Sequence, residues 1–149
     1  MRRVLVIDDH EPSRKNLFRV LAESGFEVTG DGTSGAGALE LSLATNPEVI
    51  LMAVGLADMD GIRAARRIMQ AHPRPVILLT SHFDAVTIER AKRAGIMGYL
   101  VKPLRGSELA PAIELAIAHF EEFIALRTEN DNLKKPWRRA KSSSGRRGF

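Results

Sequence analysis

Residues 48–61 read EVILMAVGLADMDG, an apolar stretch that stops at a glycine and continues into an acidic turn. The apolar part is short and rich in β-branched and other apolar residues, which predicts a strand buried on both faces of a parallel sheet. Ala53 stands at the end of this strand. A methyl group therefore occupies a strand end around which the rest of the chain places acidic, hydroxyl and ammonium side chains.

Four other segments have the same strand character, and stretches with helical periodicity alternate with all five. Leu17, Phe18 and Leu21 form one such apolar stripe after the first strand. This alternation predicts an α/β fold, a five-stranded parallel doubly wound sheet with right-handed crossovers. Thr33 or Ser34 is expected to cap the second helix. The predicted strands are RVLVID (3–8), FEVTG (26–30), EVILMAV (48–54), PVILLT (75–80) and MGYLVK (97–102).

Length and composition favour one water-soluble domain. A chain of 149 residues is long enough for one hydrophobic core, and it contains no cysteine for disulfides or thiolate metal sites. No apolar run approaches the ~20 residues that a membrane span needs, so we expect no membrane partner and a cytoplasmic location. Of the 22 basic residues, seven lie in residues 134–149, which contain no acid, so residues 1–133 carry 15 basic and 18 acidic side chains.

Polar side chains follow the predicted strands at the points where the strands end. Because the carboxyl ends of parallel strands meet at one edge of a sheet, these side chains are expected to lie close together. Adjacent carboxylates suit a divalent cation such as Mg²⁺, and a hydroxyl with an ammonium suits the oxygens of a phosphoryl group. The residues concerned are Asp8 and Asp9, Ala53, Thr80 and Ser81, and Lys102 with Pro103.

The segments VLVIDD, PEVILMAVGLADMDG, VILLTS and GYLVKPL, in this order and at this spacing, resemble the receiver domain of bacterial two-component response regulators. The resemblance extends over residues 2 to about 120 and implies a flavodoxin-like sheet with strand order 2-1-3-4-5. It also implies a role for each matching residue. Asp8, Asp9 and the carbonyl of Gly55 would form the acidic metal pocket, Thr80 would be the switch hydroxyl, Tyr99 the switch aromatic and Lys102 the active-site lysine, with a cis bond before Pro103.

In the receiver pattern, position 53 is the aspartate that accepts the phosphoryl group, and this sequence has Ala53 there. Either the chain is a natural pseudo-receiver, or alanine was introduced into an ordinary phosphorylatable receiver. Ala57, where the family usually has proline, favours the natural departure. Asp58 and Asp60 are not expected to replace the missing acceptor. Mg²⁺ binding is possible but weakened, and no enzymatic activity is expected.

The last predicted helix spans residues 107–135, begins near Ser107 and is expected to project beyond a receiver domain of residues 1–120. Its later part predicts a coiled-coil homodimer, because Phe123, Leu126, Asn130 and Leu133 follow a 3-4-3 spacing. The helix also resembles the linker of receiver proteins that carry an RNA-binding antitermination (ANTAR) module. The residues that follow lack the pattern of that module's three-helix bundle, so RNA recognition is not carried over.

Residues 136–149 form a basic segment rich in serine and glycine, which is expected to be disordered when free. The leading hypothesis is a receiver that signals without phosphorylation, through a protein partner or a second copy of itself. The alternative is a nucleic-acid-binding regulator of transcription or antitermination that acts through the tail. Its candidate contacts are Lys134, Lys135, Trp137, Arg138 and Arg139. His10, His72, His82 and His119 have no ligand spacing and are predicted to be bystanders.

Overall fold

Five parallel strands form one sheet in the order β2-β1-β3-β4-β5. The computed structural model describes the backbone of residues 1–134 and the side chains of residues 1–128. The predicted fold class and strand order are confirmed. In chain order the elements are β1 (Arg3–Ile7), α1 (Glu11–Glu23), β2 (Glu27–Gly32), α2 (Ala38–Thr45), β3 (Val49–Ala53), α3 (Gly61–Ala71), β4 (Val76–Thr80), α4 (Ala85–Arg93), β5 (Gly98–Val101) and α5 (Gly106–Lys134).

Helices cover both faces of the sheet, so the central strands are buried on both sides. Val4 and Val6 of β1 pack with side chains of α1 and α5, whereas Leu5 and Ile7 pack with α2, α3 and α4. Every residue of β3 is buried, and β1 and β4 each have only one residue that is partly exposed. A sheet with one core on each face therefore explains the uninterrupted apolar runs. Burial of each large apolar side chain in either core stabilises the fold by about 1.5–3 kcal/mol.

The predicted cap of the second helix is wrong. Helix α2 begins at Ala38 after Gly37, whose backbone is helical and which supplies no side-chain cap. Ser34 lies three residues before Gly37, and its Oγ accepts a hydrogen bond from the Gly37 N–H at 2.9 Å. The serine therefore stabilises the turn before the helix, because the two glycines of the segment extend the loop instead of starting the helix.

Helix α5 begins at Gly106, one residue before the predicted start at Ser107, and is described to Lys134. The chain divides into a unit of Met1–Ile117 and a second unit that starts at Ala118. The predicted tail, residues 136–149, lies outside the described residues. In the part of the chain that the structure describes, no helix combines the length and the apolar character that crossing a bilayer requires.

Gly61, the first residue of α3, lies against the end of β3. Its N–H donates to the Val54 carbonyl at 2.8 Å, and a Cβ at this position would overlap the Ala53 carbonyl oxygen. We expect Gly61→Ala to lower the free energy of unfolding by about 1–3 kcal/mol, because backbone atoms on both sides would have to move. Urea unfolding followed by circular dichroism measures this change.

Gly55 in the same loop is the matched control for Gly61. A Cβ on Gly55 would have no heavy atom within 4 Å. Gly55→Ala should therefore change the free energy of unfolding by less than about 0.5 kcal/mol. Equal effects of the two substitutions would contradict the close approach of α3 to β3.

Candidate functional site

The ends of four neighbouring strands bring the predicted site residues to one edge of the sheet. Asp8 follows β1, Ala53 ends β3, Thr80 ends β4 and Lys102 follows β5. All strand pairs are parallel, and β1, β3, β4 and β5 are adjacent in this order. Residues separated by up to 94 positions in sequence therefore share one site.

An ion pair joins the two outer strands of this group. The Lys102 Nζ lies 2.7 Å from the Asp8 Oδ2, and the Asp8 side chain is only 1% exposed while that of Lys102 is 20% exposed. The other carboxylate oxygen of Asp8 accepts the His10 backbone N–H at 3.0 Å. A carboxylate this deeply buried needs such partners, because its charge has lost contact with water.

Asp9 faces the loop between β3 and α3. Its Oδ2 accepts the Ala57 backbone N–H at 2.8 Å, and within the same loop Gly55 and Asp60 form an isolated β-bridge. Asp9 therefore tethers this loop to the end of β1. Gly55, expected to offer its carbonyl to a metal ion, is exposed at the surface of the loop.

Position 53 offers only a methyl group, and the residue Ala53 is 4% exposed. The nearby acids of the loop have other partners. Asp60 caps α3 by accepting the Ile62 N–H at 2.7 Å, and it pairs with Arg90 at 2.6 Å. Asp58 accepts two backbone N–H groups, from Gly35 and Ala36, each at 2.9 Å. These contacts agree with the expectation that neither acid replaces a carboxylate at position 53.

The backbone N–H groups of Ala36 and Gly35 hold the pKa of the Asp58 carboxyl below its ordinary value. Because the folded-state pKa is depressed, these bonds stabilise the loop above the ordinary pKa of 3.8 and are lost as the pH falls through the folded-state value. We expect Asp58→Ala to lower the exchange protection of the Gly35 and Ala36 amides several-fold at neutral pH, as measured by NMR.

Asp84 is the control for this loop, since it caps α4 by accepting the Val86 N–H at 3.0 Å. Asp84→Ala should expose the Val86 amide and leave the Gly35 and Ala36 amides protected. Unchanged protection of those two amides in Asp58→Ala, or protection in the wild type that does not fall in acid, would contradict the assigned contacts.

The two predicted switch residues both reach the loop after β4. The Thr80 hydroxyl donates to the His82 carbonyl at 3.1 Å, and the Tyr99 hydroxyl makes a longer contact of 3.5 Å with the same oxygen. Tyr99 is partly buried against the core formed with α2, α3 and α4. One backbone carbonyl therefore connects the threonine of β4 with the tyrosine of β5.

A cavity of about 670 Å³ opens at this edge of the sheet. The Lys102–Pro103 peptide bond is cis, and Pro103 and Leu104 form part of the cavity wall. The cavity places the Ala53 methyl and the Lys102 side chain around one space. Its lining is His10, Pro12, Ser13, Asn16, Leu17, Ala53, Val54, Gly55, Leu79, Thr80, Ser81, His82, Lys102, Pro103 and Leu104.

Residues 4–114 match the protein family described as response regulator receiver domain. The chain belongs to this family. The receiver fold is also found among solved structures. The signal receiver domain of a modulated diguanylate cyclase from Desulfovibrio desulfuricans G20 has a TM-score of 0.75 and 30% identity, over 81% of this chain and 97% of that one. The receiver domain of the response regulator NarL from Mycobacterium tuberculosis has a TM-score of 0.71 and 30% identity, over 80% and 96% of the two chains.

Curated relatives of this receiver include regulators of transcription. The transcriptional regulatory protein PdtaR of Mycobacterium tuberculosis is 41% identical over 128 residues, which are 86% of this chain and 62% of the relative. The transcriptional regulatory protein LiaR of Bacillus subtilis is 38% identical over 118 residues, 78% of this chain and 56% of the relative. The chain thus spans about three fifths of the length of these relatives.

The donor set of this receiver is poor for the Mg²⁺ ion that the family implies. Among the side chains of residues 1–128, no three of His, Cys, Asp or Glu are grouped to hold a metal ion. Asp8 and Asp9 are two oxygen donors, but Lys102 and the Ala57 N–H each occupy one oxygen of the pair. Position 53 adds no oxygen, so Mg²⁺ binding is expected to be weaker than in a receiver with an aspartate there. This weakening stays a prediction.

Two residues of the receiver site were predicted to be bystanders, and the structure gives them roles. The His10 Nδ1 accepts the Ser13 N–H at 3.3 Å and so caps α1, and its side chain lines the cavity. His82 supplies the carbonyl that meets Thr80 and Tyr99. A histidine directly before a predicted helix was a signal for the first role. The role of His82 involves its backbone carbonyl, and the residue type gives no signal for that.

Residues 118–134, the described part of the second unit, form the later part of α5. Within it, the Arg127 guanidinium lies 5.5 Å from the centre of the Phe123 ring, and Leu126 is 60% exposed. The side chains of Asn130, Leu133 and Lys134 lie outside the described residues, as do Lys135, Trp137, Arg138 and Arg139 entirely. The coiled coil and the nucleic-acid contacts therefore stay predictions.

Proposed function

We propose that this receiver is a non-enzymatic signalling module that acts without phosphorylation. The observation that carries the proposal is the methyl group of Ala53 at the position where the family has its acceptor aspartate. A methyl group has no oxygen to attack a phosphoryl group or to bind a cation. The polar residues around it are retained, so the input differs from phosphorylation while the receiver framework is kept.

The retained ion pair supports this proposal. Lys102 already neutralises the buried carboxylate of Asp8 at 2.7 Å, so this part of the site is charge-balanced without a phosphoryl group. The contacts of Thr80 and Tyr99 with the His82 carbonyl are likewise made without one. A partner that prefers one arrangement of this loop would shift the receiver between states by its difference in affinity for them.

Exposed apolar side chains support an output through protein contact. Phe83 in the loop before α4 and Val86 in the first turn of α4 are 67% and 68% exposed, and Val101 at the end of β5 is 42% exposed. Val101 is the register partner of Thr80, which ends β4, and Phe83 and Val86 follow Thr80 along the chain. Exposed apolar groups of this kind mark contact surfaces for a protein partner or a second copy.

A phosphorylation assay tests this function. The purified chain is incubated with acetyl phosphate and Mg²⁺, and separately with histidine kinases, and then measured by intact-protein mass spectrometry. We expect no gain of a phosphoryl group. A phosphoryl group on Asp8, Asp9, Asp58 or Asp60 would contradict the proposal, and the responsible residue would be located by peptide mapping.

A second candidate function is regulation of transcription through nucleic-acid binding. It is supported by the relatives PdtaR and LiaR, which are transcriptional regulatory proteins, and by the seven basic residues within residues 134–149. Fluorescence anisotropy with labelled RNA and DNA, using the full chain and a chain ending at Lys135, separates this function from protein contact. Binding that needs residues 136–149 and weakens steeply with salt would favour it.

The resemblance of α5 to an ANTAR linker belongs to the second candidate function. Binding of RNA rather than DNA in the anisotropy assay would support it.

The remaining alternative is an ordinary receiver in which aspartate was replaced by alanine. It also predicts that this chain gains no phosphoryl group. Sequencing position 53 in the source organism separates a natural alanine from an introduced one.

A further inference from the structure

The cavity beside Ala53 has an uneven distribution of charge. None of its fifteen lining residues is acidic, although Asp8 and Asp9 are close in the fold. Lys102 is the one lysine or arginine among them, and hydroxyl, amide and imidazole side chains such as those of Ser13, Asn16 and His10 also line the cavity. The walls include Leu17, Leu79 and Leu104, which are apolar.

Lys102 retains hydrogen-bonding capacity toward the cavity. An ammonium group has three N–H donors, and among the described residues the Lys102 Nζ makes one side-chain hydrogen bond, to Asp8. A carboxylate attached to position 53 would extend into the space that Ala53 borders. The Ala53 methyl leaves that space open to a carboxylate that arrives on a separate molecule.

We propose that this cavity binds a small organic monocarboxylate with an apolar body. The ligand carboxylate lies beside the Ala53 methyl and accepts a hydrogen bond from Lys102, and the apolar body packs against the leucine and proline walls. The cavity volume of about 670 Å³ lies in the range of small-molecule sites. This proposal deepens the proposed function, because it names a class of input that replaces phosphorylation.

The charge of the surroundings favours a monoanion over a dianion. Lys102 already compensates the buried Asp8 carboxylate, so the pair has little remaining positive charge to offer. In the absence of a divalent cation, a dianion such as a phosphate monoester would meet stronger repulsion from Asp8 than a monocarboxylate does. A carboxylate carries one charge and accepts hydrogen bonds from an ammonium with the strength of a charge-assisted bond.

The test is a titration of the ¹⁵N-labelled full chain with phenylacetate, followed by NMR. Phenylacetamide, which has the same shape without the charge, and acetate, which lacks the apolar body, are the matched probes. We expect phenylacetate to shift the amides of residues around Ala53, Thr80 and Lys102, with an affinity at least about tenfold higher than that of either matched probe.

Two substitutions of Ala53 make the test specific to this cavity. Ala53→Asp supplies a tethered carboxylate and Ala53→Asn fills the same space without charge, and each should weaken phenylacetate binding at least about tenfold. Lys92→Gln, on the exposed surface of α4, is the control and should leave binding unchanged. Both matched probes are tested on the unmodified chain, so the proposal stays testable if a variant fails to fold.

Three results would overturn the proposal: no shift of cavity amides by phenylacetate, equal affinity for phenylacetate and phenylacetamide, or unchanged binding in both Ala53 variants. None of these would contradict signalling without phosphorylation, which the mass measurement tests separately. Conversely, phosphorylation of the wild type would contradict the proposed function without changing the result of the titration.

Discussion

The substitution Ala53→Asp is expected to convert this chain from one that takes no phosphoryl group to one that takes a single phosphoryl group from acetyl phosphate. The new carboxylate would stand at the end of β3, between Asp8 after the neighbouring β1 and, on the other side, Thr80 of β4 and Lys102 after β5. Lys102 has further N–H groups to stabilise charge that develops on the phosphoryl oxygens. Intact-protein mass spectrometry measures the fraction modified.

The same substitution should make stability depend on Mg²⁺. A third acid beside Asp8 and Asp9 adds repulsion in the absence of a cation and an oxygen ligand in its presence. We expect millimolar Mg²⁺ to raise the free energy of unfolding of Ala53→Asp by about 1 kcal/mol and to change the wild type little.

Ala53→Asn is the control, because it has nearly the same shape and no charge. It should gain neither phosphorylation nor the Mg²⁺ effect. A folded, Mg²⁺-binding Ala53→Asp protein that stays unmodified would mean that the rest of the site has also lost the geometry for phosphoryl transfer. Equal labelling of the wild type and Ala53→Asp would mean that position 53 is not the acceptor.

The substitution Lys102→Met is expected to give the largest loss of stability at the site. Among the described residues, it leaves the Asp8 carboxylate, which is 1% exposed, with the His10 N–H as its one remaining partner. Removing one member of a buried ion pair costs several kcal/mol, and since Lys102 is partly exposed we expect a loss of about 2–4 kcal/mol in the free energy of unfolding. Chemical unfolding curves measure this loss.

The double substitution Asp8→Asn with Lys102→Met separates the charge effect from the loss of side-chain packing. It removes both charges and leaves an amide that still accepts from His10, so it should recover at least half of the loss. Failure to recover would mean that packing of the lysine chain, rather than its charge, stabilises the ends of β1 and β5.

The fold was predictable because its signal is local and repeated. The apolar runs at Val49–Ala53 and Val76–Thr80 are too uninterrupted for a sheet with one solvent face, and the structure buries them on both faces. The start of α2 was not predictable in the same way. Ser34 has the residue type of a helix cap, but the glycines after it allow a longer loop, and the serine caps a turn instead.

The candidate site was predictable in its residues and not in its contacts. Parallel strands bring their carboxyl ends to one edge, so the positions of Asp8, Ala53, Thr80 and Lys102 could be expected from their places after predicted strands. Their partners could not be, because a carboxylate has two oxygens and many donors within reach. Asp9 accepts the Ala57 N–H, and the His82 carbonyl contacts two hydroxyls. Both contacts depend on loop conformations that residue types do not encode.

The sequence by itself determined the alternating architecture, the residues at the strand ends and the absence of a carboxylate at position 53. It could do so because strand periodicity and residue identity are local properties. Only the tertiary structure decided that Lys102 neutralises Asp8 across 94 positions, and that the space beside Ala53 is a cavity without acidic walls. Both depend on distances between distant segments, which are set when the two cores pack against the sheet.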